Sequence, residues 1–358
     1  MKNKRISELR KEMKERGLDA MLITSPPCYR YFSGFSGSNC ALVITKGACV
    51  LITDGRYTTQ AKEQAVGFEI VDRPRPMREL ICDILDEQAA HTVGYETMNI
   101  SDHEICELRR MRDALKWQPQ MDFACRARAV KDADEIASIR RAVDIADAAL
   151  SELIPSVKPG VSERVVAAKL EYLMTKNGSE RPAFETIVAS GVRGSLPHGA
   201  PTDKKIMAGE MVTIDFGACC NGYMSDITRT LWMGEIPNES RRVWECVNEV
   251  LAECTKAVKP GVATKDLDKY QRDLFEKYDM AQYVVHSLGH GVGLEIHESP
   301  TVSSRSCSVL SAGMVITIEP GIYIPGNCGV RIEDTVLVTE NGVQPLTKSA
   351  HMIKINCN

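Results

Sequence analysis

Apolar residues recur along this chain with two alternating periods. Ile6, Leu9 and Met13 stand at helical spacing ahead of Gly17, so residues 3–16 read as an amphipathic helix closed by a glycine cap. Short apolar runs follow at Asp19–Thr24, Ala41–Thr45 and Val50–Thr53, the last two joined across Lys46 and Gly47 as a hairpin. Helix over Tyr57–Ala65, strand over Phe68–Val71, helix over Arg78–Asp86, strand over Thr92–Tyr95 and helix over Asp102–Leu115 continue the alternation. Residues 1–126 therefore read as an α/β layer domain. The pattern changes near Phe123–Lys131. Asp132 followed by Glu135 has the form of a capping box. It opens a helix with Ile136, Ile139, Val143, Ala146, Leu150 and Leu153 on one face. Further helices fit Ser162–Lys176, Ser240–Val258 and Thr264–Tyr278, with short strand patterns after each pair. Residues 127–358 thus form an α+β domain.

Within that second domain the pattern occurs twice. A-G-E-M-V-T-I-D-F-G (Ala208–Gly217) and A-G-M-V-I-T-I-E-P-G (Ala312–Gly321) align with Asp215 on Glu319, an offset of 319 − 215 = 104. Upstream, S-L-P-H-G at Ser195 matches S-L-G-H-G at Ser287, and V-K-P-G-V at Val157 recurs at Val258. Asp226 finds its counterpart in Glu333. The matches keep their order, so the domain is read as a duplicated unit of roughly a hundred residues. Each copy supplies one histidine and two carboxylates.

Length fits two domains, and 44% hydrophobic with 26% charged residues is ordinary for a globular protein. A net charge of −4 carries no signal for nucleic acid or anionic membrane, and no apolar run approaches a membrane span. The N-terminus lacks the apolar core of a signal peptide. Thirteen cysteines, odd in number and without C-x-x-C spacing, read as free thiols of a cytoplasmic protein. Cys219 and Cys220 are read as structural. His91 and His103 are read as surface residues.

A carboxylate at the end of a buried strand is costly unless it is paired or binds a metal. Asp215, Asp226, Glu319 and Glu333 with His290 give four negative charges and one imidazole, which two divalent ions balance. Mostly oxygen ligands with one nitrogen suit manganese, iron, cobalt or zinc. Two metals roughly 3.5–4 Å apart acidify a shared water and clamp a carbonyl oxygen, which is hydrolytic chemistry. Four of the seven histidines fall between His198 and His297, a density suited to proton transfer and oxyanion stabilisation. Arg331, two positions before Glu333, shares its strand face and is placed to hold a ligand carboxylate.

At S-L-P-H-G, V-T-I-D-F-G, S-D-I-T-R-T, H-S-L-G-H-G-V-G, I-E-P-G-I-Y and V-R-I-E-D-T the sequence resembles the aminopeptidase P and prolidase family of metallopeptidases. In the first half, L-I-T-S-P, F-S-G-F-S-G and T-D-G-R-Y resemble the family's creatinase-type domain. The resemblance implies a pita-bread catalytic domain with internal pseudo-twofold duplication. It implies that Asp215 chelates one of two divalent ions, manganese first with cobalt, zinc or iron as alternatives, and that Asp226 and Glu333 bridge both. His290 and Glu319 would complete the other site, Glu319 also serving as general base. His198 and His297 would contact the scissile carbonyl and its oxyanion, and His286 would border a proline subsite. The implied substrates are short peptides with proline second, and the implied assembly is a homodimer. The expectation is an Xaa-Pro aminopeptidase, with an Xaa-Pro dipeptidase as the alternative and a non-catalytic pita-bread binding protein behind it. A methionine aminopeptidase would not need the first domain, and a creatinase would not need the acidic set.

Overall fold

Short β-branched runs separated by polar-faced helices form, in the first half of the chain, a mixed sheet with helices packed against it. The structure, a computed structural model, describes residues 2–72, 75–121 and 123–357. The chain divides into two compact units, Met1–Arg128 and Ala129–Asn358. In the first, α1 (Lys2–Glu15) is followed by strands β1 (Ala20–Ile23), β2 (Ala41–Thr45), β3 (Cys49–Thr53), β4 (Glu69–Asp72), β5 (Thr92–Glu96) and β6 (Lys116–Gln120). Their order is β4-β3-β2-β1-β5-β6. The β1–β2 and β2–β3 pairs are antiparallel, and the other neighbours run parallel. Helices α2 (Pro26–Ser33), α3 (Thr58–Gln64), α4 (Met77–Glu87) and α5 (Asp102–Met111) connect the strands. The core gathers Leu22, Val43, Ile52, Leu85, Val93 and Trp117. His91 and His103 are exposed.

Three elements depart from the sequence reading. Helix α2 and strand β6 were not anticipated, and Phe123–Ala129, read as the change between domains, is helix α6. The entry to α2 is held from afar: Glu96 accepts from the backbone N–H groups of Thr24 and Ser25 and from the Ser25 hydroxyl, at 2.7–2.9 Å. A local pattern cannot display a partner seventy residues away.

In the second unit the capping box forms: Asp132 accepts from the Glu135 N–H, and Glu135 accepts from the Asp132 N–H. It opens α7 (Ala133–Leu153), which packs with α8 (Glu163–Lys176) against a sheet of order β19-β11-β8-β7. These strands are β7 (Ile187–Ser190), β8 (Met211–Phe216), β11 (Ile227–Met233) and β19 (Lys354–Ile355); a small hairpin, β9 (Cys219–Cys220) and β10 (Tyr223–Met224), turns at Asn221 and Gly222. Ile139, Val143, Leu150, Leu170, Val212 and Ile214 fill the space beneath.

The second copy repeats the plan. Helices α9 (Asn238–Ala257) and α10 (Thr264–Glu276) cover a sheet of order β13-β12-β14-β17-β18. Its strands are β12 (Gly289–Gly291), β13 (Glu298–Val302), β14 (Val315–Ile318), β17 (Asp334–Thr339) and β18 (Gly342–Pro345), with β15 (Gly321–Ile324) and β16 (Cys328–Arg331) paired beside it. The repeat extends to single hydrogen bonds. Gly160 donates to Ile206 as Gly261 donates to Leu310, and Gly209 donates to Met233 as Gly313 donates to Val338. The two copies are stitched where Thr228 of β11 bridges Glu333 ahead of β17. Among the described residues no helix is long and apolar enough to cross a membrane.

Candidate metal centre

The nine residues singled out in the sequence all line one cavity of about 590 Å³ in the second unit. Asp215 sits inside β8, paired with Ile187 on one side and Thr228 on the other. Asp226 precedes β11. The last β14–β17 pair is Ile318 with Asp334, and one step beyond it come Glu319 and Glu333. Each carboxylate therefore sits at or near the end of a buried strand, where the backbone is rigid and the side chain clears its neighbours.

His290 is placed by its flanking glycines. A Cβ on Gly289 would lie 2.1 Å from the Thr317 carbonyl oxygen, and one on Gly291 would lie 2.4 Å from that of Ser299. Only glycine lets the backbone of β12 approach so closely. The β12–β13 register shifts between His290 and Gly291, a bulge that re-aims the side chain. The ring then donates from Nδ1 to the Gly291 carbonyl at 3.2 Å. Its Nε2 lies 3.2 Å from Glu319 and 3.5 Å from Asp226. Ligand atoms of Asp226, His290 and Glu333 all fall within 4.8 Å of one another.

Neighbouring side chains hold the carboxylates in place: Arg331 as the sequence anticipated, and Thr228, Thr317 and Tyr323, which it missed. Thr228 donates to Glu333 at 2.7 Å, and Thr317 donates to Glu319 at 3.1 Å. Arg331, 4% exposed, donates to Asp215 at 2.5 Å, to the Tyr323 hydroxyl at 2.6 Å and to the Pro197 carbonyl at 3.2 Å. The Tyr323 hydroxyl lies 2.9 Å from His286 Nε2, and His286 Nδ1 lies 2.8 Å from the Ser287 carbonyl. Because that carbonyl can only accept, Nδ1 carries the proton and Nε2 accepts from Tyr323. Both nitrogens of His286 are thus engaged. The rings of His290 and His297 meet edge to face, 4.2 Å between centroids. The hydroxyls of Thr228 and Thr317 gave no signal in the sequence, because a threonine in a strand is read first as a strand former.

Charge in this cavity is out of balance. Burial, then the neighbouring Glu333 and Asp215, push the Asp226 carboxyl well above its ordinary range. Burial, then Glu319 and Asp215, do the same to Glu333. Glu319 goes the other way: burial would raise it, but the hydrogen bond and charge of His290 hold it down to about 2. Burial opposes the charge on His290, yet the Glu319 partner lifts its pKa above the usual value. Burial keeps His286 and His297 low, and so neutral. Asp215 Oδ1 and Glu333 Oε1 are buried without a hydrogen-bond partner. Orphaned carboxylate oxygens beside a cluster of acids are costly in a protein interior. A divalent cation satisfies both oxygens and removes the repulsion, so the donor set fits a metal centre.

Fold and site together define a two-unit protein whose duplicated catalytic half surrounds an acidic metal-binding cavity. Residues 137–340 match Metallopeptidase family M24, and residues 5–130 match the Creatinase/Prolidase N-terminal domain. The chain is 42% identical to the Xaa-Pro dipeptidase of Pyrococcus furiosus over 352 residues, 96% of this chain and 98% of that protein. Among solved structures, an Xaa-Pro dipeptidase from Bacillus anthracis superposes with a TM-score of 0.97 at 37% identity, covering 99% and 100% of the two chains. An X-Pro aminopeptidase from Thermotoga maritima gives 0.91 at 36% identity over 98% and 99%. The chain belongs to metallopeptidase family M24, with the creatinase-type first domain and the pita-bread catalytic domain. It is a metallo-exopeptidase of the Xaa-Pro kind.

Proposed function

We propose that the protein hydrolyses Xaa-Pro dipeptides at the bond before proline, with two divalent ions, manganese first, held by Asp215, Asp226, His290, Glu319 and Glu333. The observation that carries this is the whole-chain likeness to Xaa-Pro dipeptidases together with the five side chains gathered at one cavity. The sequence alone placed the aminopeptidase first; the names of the relatives favour the dipeptidase. When bound, the ions supply an acidified water and polarise the scissile carbonyl. The chain's own groups do the rest. Asp226 and Glu333 surrender the protons that burial and mutual repulsion give them, and His290 surrenders the proton that depresses Glu319. Glu319, held by Thr317, is then free to accept a proton from the attacking water. His198 and His297 line the cavity and donate to the carbonyl oxygen as negative charge develops there. His286, fixed by Tyr323, forms part of the wall beside the proline ring. The catalytic form is a homodimer.

One observation favours the aminopeptidase as a second reading. Arg331, the guanidinium on the cavity wall, is spent on Asp215, Tyr323 and Pro197, and burial keeps His286 and His297 neutral. Among the described lining residues no other lysine or arginine is available for the C-terminal carboxylate of a dipeptide. Turnover of Leu-Pro against Leu-Pro-Gly, with manganese and cobalt restored in separate assays, decides. Faster cleavage of the dipeptide supports the main reading and faster cleavage of the tripeptide the second. No cleavage of either would overturn both.

A further inference from the structure

His198 lies on a loop that leaves the sheet after Ser190 and meets the start of α8 at Thr202, and that loop is held by a carboxylate outside the cavity. Glu163, the first residue of α8, has a side chain 0% exposed. One of its oxygens accepts from the Ser190 N–H and hydroxyl, both at 2.8 Å. The other accepts from Arg193 at 3.0 Å, from the Thr202 N–H at 3.1 Å and from the Thr202 hydroxyl at 2.7 Å. A single buried carboxylate therefore clasps the start, the middle and the end of the loop. The opening turn of α8 adds its backbone donors, Glu163 N–H to Lys204 and Arg164 N–H to Thr202. Arg193 extends the constraint past His198, donating from its second terminal nitrogen to the Ala200 carbonyl at 2.8 Å. Pro197, on the other flank of His198, is pinned by Arg331. Along the chain His198 thus falls between two carbonyls, those of Pro197 and Ala200, each held by a guanidinium.

The second copy has a corresponding device. Asp268 in α10 is fully buried, accepts from the Leu288 N–H at 2.9 Å and pairs with Arg272 at 3.3 Å. Arg272 in turn donates to the His286 carbonyl. There too a buried helix carboxylate and an arginine fix the segment leading to a histidine of the site, His290.

We infer that Glu163, acting through Arg193, is the positioning residue for His198 and sets how deeply its imidazole enters the cavity. This rests on His198 facing the substrate, as proposed above. A buried carboxylate with five donors holds a loop far more tightly than the loop's own turns can, because releasing it strands a charge. Arginine is required in the relay, since its fork reaches Glu163 and Ala200 together and a lysine ammonium cannot reproduce that geometry.

The test is a double-mutant cycle on the metal-loaded full chain with Leu-Pro, together with hydrogen–deuterium exchange of the 190–202 segment. Glu163→Gln is expected to lower kcat about tenfold with KM changed by less than about twofold, the scale of a small displacement of a reacting group. In the His198→Ala background the same substitution is expected to cost less than about twofold, because the histidine it positions is gone. Exchange at the Leu196 and Gly199 amides should rise about tenfold. Arg193→Gln, at a partly exposed position, should reproduce all three results and takes over the test where Glu163→Gln does not fold; Arg193→Lys should fall between. Equal losses of kcat in both backgrounds, or exchange unchanged from wild type, would overturn the inference. If His198→Ala keeps full kcat, the inference falls while the Xaa-Pro reading stands. If the wild type cleaves no Xaa-Pro peptide, that reading falls and exchange alone decides the clasp.

Discussion

At the scale of single residues, the acidic set was legible in the sequence because the chain states it twice. Asp215 and Glu319 stand in matching frames, and each strand delivers its carboxylate to the same cavity. What the sequence could not display were Thr228, Thr317, Tyr323 and Glu163, whose importance lies in partners distant along the chain. Two predictions belong here. Asp226→Asn or Glu333→Gln should leave fewer than two metals per chain and cost activity far more than Asp102→Asn in the first unit. Elemental analysis with a turnover assay checks this, and full metal content in either mutant would remove that residue from the site. The matched histidines should separate: His290→Ala loses a metal, whereas His198→Ala keeps both and loses roughly 10²–10³ in kcat. Equal metal loss in the two proteins would mean that both are ligands.

At the scale of elements, long periodic helices were readable, and α7 opens at the capping box predicted for it. Strand β6 was not, because Lys116–Gln120 buries mainly Trp117 and Gln120 and shows no apolar alternation. Its place is set by parallel pairing to β5, a contact no local window contains. The β12 bulge was hidden for the same reason. It supplies a prediction at this scale. Gly289→Ala drives a methyl group into the Thr317 carbonyl, so β12 must shift away from β14. Overpacking of this kind costs about 1–3 kcal/mol, and the shift also moves His290. The mutant should remain folded with a lower melting temperature and a weakened affinity for manganese. An unchanged manganese affinity would show that His290 is not held by this approach.

For the whole molecule, metal and proton compete for one cavity. Without metal, Asp226, Glu333 and His290 have folded pKa values above their unfolded ones, so the folded state binds more protons than the unfolded chain. Their contribution is complete at low pH and is lost as pH rises through the elevated values. Glu319, held down to about 2, contributes oppositely: its share is present above the ordinary glutamate value and is lost as pH falls toward about 2. His286 and His297, held low by burial, also contribute oppositely, their share growing until pH passes their unfolded value near 6.5. Chelated protein should therefore lose melting temperature from about pH 6.5 to pH 8, while manganese-loaded protein, whose ligands must be deprotonated, gains. At pH 8 the difference should reach several degrees, since saturating a site at 100 times its Kd is worth about 2.7 kcal/mol. Melting curves that coincide after confirmed metal removal would sink the two-metal reading.

The stitch between Thr228 and Glu333 also bears on how such a chain could be taken apart. Asp215 and Asp226 lie before the segment Gly234–Pro237, and His290, Glu319 and Glu333 lie after it, so a cut there would leave neither piece with all the proposed ligands. The pieces would still share a β-ladder, because β19 at the far end of the chain returns to pair with β11. A nicked or split protein is thus a lock with two half-keys, and on the proposed ligand set a divalent ion is expected to be the clip that reunites separately made fragments.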